Sequence, residues 1–368
     1  MKRLVFCLAF AVFISGSAHS SGVTDTKIVL GTVNATSGLA KALGTGMNQG
    51  LSAYFDKVNK EGGIHGRTIE VIFKDDGYEP RYTLSNLKEI ESKVLAYIGF
   101  VGTPTSRTAI KYSERSEMVY FGAFTGANLL RTAETPHVYN VRASYDQETK
   151  ALVDHFVSTG KKRFGVFFQK DAYGKAGLSG VKKALGSHKL EVLAKGNYRR
   201  NSLRVEKAIE KLKQEKLDAI IMIGAYQPCA EAIKKMKSMA EFKGTQFANI
   251  SFVGTSELIN ELGDQGNGVI ISQVMPSPWT SKLPIVKEYR EHIKDYSYVS
   301  LEGFVVAKVF AEALRKIGKN IDKQALHQGL SKFKKDIGGL TFDFDNPARQ
   351  ALQKIYLTRI QKGKPVAL

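Results

Sequence analysis

The chain has 368 residues, 43% of them hydrophobic, which is enough for a sizeable core in one or two domains. Fifty-four Lys and Arg residues against 35 Asp and Glu give a formal net charge of +19. The lysines are spread over amphipathic stretches such as 207–216 and 233–243, in which Phe242 is the single aromatic residue, with no regular aromatic interleaving. That argues for a solvated basic surface, or attraction to acidic solutes or headgroups, and against nucleic acid as a partner.

Residues 1–20 have their own logic. Lys2 and Arg3 precede an apolar run, and small residues follow, with Ala18 and Ser20 at plausible signal-peptidase positions. The run is too short to span a bilayer, so it reads as a cleaved secretory signal. Cys7 lies inside that run, which argues against a lipoprotein anchor. Without the leader Cys229 is the sole cysteine, so no intramolecular disulfide is expected. Export without disulfides at this size fits the bacterial periplasm.

Residues 27–33 read as a buried strand, 34–46 as a polar loop, and 47–60 as a helix closed by Gly62 and Gly63. A strand over 67–74 leads through Asp75 and Asp76 to a helix over 81–93. The next strand, 94–100, ends in glycines and the hydroxyl-rich loop Thr103-Pro104-Thr105-Ser106, ahead of a helix over 107–117. A short strand, 118–121, then ends in Gly122-Ala123-Phe124-Thr125-Gly126. The strand–helix alternation argues for a parallel sheet covered on both faces. Two such strand ends side by side would gather amides, hydroxyls and a helix N-terminus into an anion seat. The same residues are also ordinary turn and capping residues.

A second series has helices over 146–159, 175–185, 203–214 and 229–239. Its strands are expected over 163–168, 190–194, 217–224 and 250–254. Pro276-Ser277-Pro278-Trp279 reads as a crossing linker. Helices over 283–294 and 300–317 follow, and strands over 339–344 and 354–360 end the chain.

Enzyme signatures are missing. There is no P-loop or nucleophile elbow, and Gly44-Thr45-Gly46 does not continue as a dinucleotide fingerprint. The histidines lack ligand spacing, so no metal site or cofactor is expected. Asp75 and Asp76 point opposite ways from a strand end, which favours loop capping over a paired-carboxylate site.

Several segments carry a resemblance: SGLAKALG (37–44), NKEGGIHGRTIEVIFKDDGYEP (59–80), IGFVGTPTS (98–106), QKDAYGKAG (169–177), GAYQP (224–228) and SFVGTSE (251–257). Together they resemble the type I periplasmic solute-binding proteins, the leucine/isoleucine/valine-binding group of ABC importers. The resemblance implies an α/β fold of two doubly wound parallel-sheet lobes joined by three crossovers. The first lobe would take 26–141 plus 275–338, and the second 142–274 plus 339–368. The implied function is capture of a small carboxylated solute, an amino acid or related compound, between the lobes and delivery to an ABC permease. The alternative is a sensory protein of the same fold that signals to a separate receptor or kinase.

Carried over residue by residue, Thr103 stands where the family's loop serine receives the ligand carboxylate. Thr105 lies in the same loop, and Ala123, Phe124 and Thr125 form the second contact. Tyr173 matches the tyrosine that closes over the ligand, and Tyr226 the one nearer the amino group. The family's acidic partner of the ammonium falls on Ser256, with Glu257 one residue later. That departure opens the possibility of a solute other than an α-amino acid. Pro104 and Phe124 are bulkier than the family's residues and would narrow the pocket or stack on a ring. Arg142 and Tyr145, at the first crossover, reach the cleft or tie the lobes together.

Overall fold

A computed structural model describes residues 22–368; the expected leader over 1–20 lies outside them. Two sheets organise the chain. The first has strands β1 (Lys27–Asn34), β2 (Thr68–Asp75), β3 (Ala96–Ile98), β4 (Tyr120–Phe121) and β5 (Val138–Tyr139) in the order β2-β1-β3-β4-β5, all parallel. The second contains β6 (Phe164–Gln169), β7 (Val192–Tyr198), β8 (Ala219–Ile223), β9 (Gln246–Asn249) and β10 (Ile270–Gln273), also mutually parallel. A separate hairpin joins β11 (Lys334–Ile337) to β12 (Leu340–Asp343). Antiparallel β13 (Tyr356–Gln361) and β14 (Lys364–Ala367) extend the second sheet, whose order is β14-β13-β10-β9-β8-β6-β7.

Helices α1 (Lys41–Lys60), α2 (Pro80–Ile90) and α3 (Thr103–Ser113) connect the strands of the first sheet. Helices α4 (Tyr145–Ser158), α5 (Ala172–Ser187), α6 (Glu206–Leu212), α7 (Tyr226–Lys237) and α8 (Thr255–Leu262) serve the second. After β10 come α9 (Pro284–His292), α10 (Tyr298–Ile317) and α11 (Lys323–Ser331). Helix α10 is apolar on nearly every face, as a fully enclosed helix must be. Phe310 on one side meets Phe121 of β4, with ring centres 5.2 Å apart. On another side α10 lies against α1 with no room for a side chain between them: a Cβ on Gly50 would stand 2.1 Å from Ser300 O.

The chain passes between lobes three times, after β5, after β10 and before β13. The sequence places the last return at residue 339. The structure keeps residues 334–344 with the first lobe instead, because β12 pairs with β11 and Phe344 packs on Phe121 and Tyr139. Four strands escaped the reading: β5, of only two residues, β10, embedded in a glycine-rich stretch, and the outer hairpin strands β11 and β14. The strand expected over 250–254 is in fact β9, ending at Asn249, followed by a 3₁₀ turn over Ser251–Val253.

The two aspartates after β2 are loop caps. Asp75 Oδ1 accepts from the amides of Thr36, Ser37 and Gly77. Asp76 faces inward and accepts from Tyr78 N and the Thr83 hydroxyl. Burial raises the Asp76 carboxyl to about 7, against those two hydrogen bonds. In the unfolded chain it titrates near ~3.9, so its contribution to stability is full below about pH 4 and is lost as pH rises to about 7. Asp76→Asn is predicted to flatten that decline. Urea unfolding at pH 4.5 and pH 8 should show the variant gaining on the wild type by roughly 1–3 kcal/mol at the higher pH. Parallel curves would mean that Asp76 is ionised in the folded protein.

Candidate functional site

Each parallel sheet has a switch point where its strand order reverses, between β1 and β3 in one and between β6 and β8 in the other. Loops leaving such strands diverge and open a crevice at their carboxyl ends. Here the two crevices face each other. Residues 78, 103, 124 and 125 come from the first lobe, and residues 169, 173, 226 and 252 from the second.

The hydroxyl seat depends on the exit from β3. Gly102 has φ +100, and a Cβ on it would lie 2.2 Å from the Tyr78 ring. This turn lets α3 begin at Thr103, four residues earlier than expected, so the hydroxyl-rich loop is the helix's first turn. Thr103 Oγ1 and Thr125 Oγ1 share a hydrogen bond of 2.7 Å, and the Thr125 hydroxyl donates to Tyr145 Oη at 3.1 Å. All three residues are buried. Three hydroxyls beside the positive end of an eleven-residue helix can hold an anion without a full counter-charge. Thr105 is turned away: its hydroxyl donates to Val101 O and Gly102 O. The backbone after β4 extends the same surface. Phe124 N donates to Phe100 O at 2.7 Å and Gly102 N to Phe124 O at 3.2 Å, which fixes the peptides of residues 123–125 beside α3.

Over the seat lies a layer of rings. Phe252, carried by the 3₁₀ turn after β9, has its ring centre 4.5 Å from Tyr173, 5.5 Å from Phe124 and 6.0 Å from Tyr78. Tyr173 in turn lies 5.4 Å from Tyr145. Burial raises the Tyr145 phenol to about 12 and lifts those of Tyr78 and Tyr173 well above their ordinary value, so all three stay neutral hydroxyls. Sequence reasoning assigned no role to Phe252 or Tyr78. The available signal was an aromatic residue at each of two strand-end loops.

Arg142, at the first crossover, is fully buried. Its guanidinium lies 4.6 Å from the Phe124 ring centre. It donates to Ser251 Oγ and to Glu148 Oε1, and Glu302 Oε1 of α10 stands 3.6 Å away. Burial opposes its charge, but Glu302 and Glu148 outweigh that and hold its pKa above the ordinary value. One guanidinium thus touches the crossover, α4, the loop after β9 and α10, so it both ties the lobes and reaches the cleft.

The other expected contacts gather elsewhere. Ser256 and Glu257 open α8 and line an outer groove of about 630 Å³ with Ala42, Thr45 and Gln49 of α1. Burial raises the Glu257 carboxyl. Tyr226 spans to the same helix, with Ala42 N donating to its hydroxyl at 3.5 Å. No residue that lines the groove belongs to the hydroxyl seat. On another side, Arg200 of the second lobe pairs with Glu79 of the first at 2.7 Å and with Asp171 at 3.1 Å. Asn201 adds a bond to Gly77 O at 3.0 Å. Among the described residues no cluster of three or more His, Cys, Asp or Glu could hold a metal ion, and no helix is long and apolar enough to cross a membrane.

Comparison with known proteins meets this geometry. Residues 27–365 match the family model described as periplasmic binding protein. The Leu/Ile/Val-binding protein BraC3 of Rhizobium johnstonii is 24% identical over 384 residues, covering 100% of this chain and 99% of the relative. A crystal structure of a possible leucine/isoleucine/valine-binding protein from Rhodopirellula baltica superposes with a TM-score of 0.87 at 35% identity, over 93% of this chain and 96% of that one. A substrate-binding periplasmic protein from Ralstonia solanacearum gives 0.86 at 28% identity, over 92% and 99%. A closed α/β clamp with a hydroxyl seat at a helix N-terminus, matched along nearly its whole length, belongs to the periplasmic binding protein family.

Proposed function

We propose that this chain is a periplasmic receptor that captures a small carboxylated solute between its lobes and hands it to an ABC permease, without covalent chemistry. The observation that carries this reading is the convergence of Thr103, Thr125 and Tyr145 hydroxyls with the start of α3, under rings supplied by both lobes. A carboxylate there would accept short, charge-assisted hydrogen bonds in a setting shielded from water. Ala123 would contribute through its backbone, Tyr173 and Tyr226 would close from the second lobe, and the leader over 1–20 would direct export.

Lobe closure would form the surface read by the permease. Release requires the lobes to swing apart about the three crossovers, which breaks the Arg200–Glu79 contact and separates Phe252 from Phe124 and Tyr78. The relatives' names support an amino-acid-like solute.

A thermal-shift screen of purified protein over organic acids, amino acids and amides tests the reading. A ligand at about 100 times its dissociation constant should raise stability by roughly 2.7 kcal/mol. Replacing both Thr103 and Thr125 by Val removes the hydroxyl pair together; Tyr145 Oη and Ala127 N each lose one bond, a modest cost under which the fold should persist. Calorimetry on that variant is predicted to show carboxylate affinity reduced by roughly ten- to hundredfold; an unchanged constant would remove both residues from the site. Arg200→Ala should weaken binding by only about two- to fivefold, because the pair is partly exposed. Stopped-flow should place that change in faster release.

A further inference from the structure

Three clusters compete for attention: the outer groove, the buried charges around Arg142, and the rings above the hydroxyl seat. The rings meet across the boundary between the lobes. They are disposed two against two. Tyr78 and Phe124 belong to the first lobe, and Tyr173 and Phe252 to the second, with Phe252 tilted 35° to Tyr78, 38° to Phe124 and 49° to Tyr173. Lobe opening therefore parts two aromatic plates, and the space it creates has aromatic faces above and below and the hydroxyl seat at its end. A planar ring placed there makes offset or edge-to-face contact with both plates, an interaction that a branched aliphatic chain of equal area lacks.

The charges around the seat narrow the ligand further. An α-amino acid would bring an ammonium next to its carboxylate. The Arg142 guanidinium lies 4.6 Å from the Phe124 ring centre; its Nε has no hydrogen-bond acceptor among the described residues, and its Nη1 faces only Glu302 Oε1 at 3.6 Å. An anion gains from such donors, and a cation is repelled. Glu148 is committed, since it also accepts from Ser251 N and the Ser272 hydroxyl, and Glu302 is the other acid facing Arg142. Glu257 lies among Ala42, Thr45 and Gln49, in a lining that contains no seat residue. A buried ammonium without its own carboxylate is costly.

We propose that the cleft selects an aromatic monocarboxylate lacking an α-ammonium group, its acid end on Thr103, Thr125 and Tyr145 and its ring between the Tyr78–Phe124 and Phe252–Tyr173 plates. Phe252 is the specificity-determining residue. This rests on the receptor reading above, and the test separates the two.

Calorimetry on the wild-type protein would compare benzoate, phenylacetate, hexanoate, L-phenylalanine and L-leucine. At least one ring acid should bind one to one, roughly tenfold or more tighter than hexanoate and than either amino acid. Phe252→Leu, which keeps the site apolar, should bring the ring acid and hexanoate to within about threefold of each other. The Thr103→Val, Thr125→Val double variant should bind both roughly ten- to hundredfold more weakly, and melting curves would report that each variant is folded. Tighter binding of L-leucine or L-phenylalanine overturns the aromatic-acid proposal and leaves the receptor reading standing. A ring preference that survives in Phe252→Leu overturns the role of that residue and with it the plate argument. Failure of all five compounds to bind the wild type overturns the carboxylate seat itself.

Discussion

The cleft turns on how the chain leaves β3. A helix can begin at Thr103 only if the residue before it adopts a left-handed backbone and presents no side chain to Tyr78, and Gly102 meets both demands. Its amide also donates to Phe124 O at 3.2 Å, so the ends of β3 and β4 are clamped together beyond their last paired residues. That clamp brings Thr125 to within 2.7 Å of Thr103. An alanine at 102 would collide with the Tyr78 ring and strain the backbone at once, and the seat, the Phe124 plate and the contact with the second lobe would all shift with it.

Arg142 has a different kind of importance. A guanidinium held among Glu148, Ser251 and Glu302 with no access to water gains little net stability, because desolvation offsets most of the Coulomb attraction. Removing a single partner, however, leaves a charge stranded in the interior. Burial raises Glu302 to about 7 even with Arg142 beside it. The cluster is therefore better understood as setting which arrangement of the lobes is tolerated than as adding to the strength of the fold. It achieves this because its members come from both sides of the first crossover.

The sequence revealed the architecture and much of the chemistry near the seat, and the limits were physical. Regular alternation of buried strands and amphipathic helices marked out the two sheets. Strands of two to four residues, such as β5 and β10, carry too few side chains to show a period, and neighbouring strands rather than local pattern decide them. Thr103-Pro104-Thr105-Ser106 looked like a loop because its residues favour caps and turns, yet proline is well suited to a helix's first turn, and the helix absorbed all four. Phe252 lay in a stretch whose apolar run, Ile250 to Val253, imitates a strand; only the 3₁₀ turn aims its ring into the cleft. Thr103 and Thr125 came together at hydrogen-bond distance, whereas Thr105 turned to its own helix and Glu257 to the groove. That division reflects backbone direction at helix starts, which residue type alone does not encode.

The antiparallel hairpin at the end of the chain has a consequence of its own. Strand β14 forms one margin of the second sheet, and a margin strand offers unpaired amides and carbonyls to any other chain that drifts alongside. In β14 the second residue is Pro365, which has no amide hydrogen, and Lys362 and Lys364 place positive charge at the turn that begins it. A neighbouring copy would meet a gap in the donor row and a like charge. The four-residue strand is therefore a poor template for a further strand at that margin.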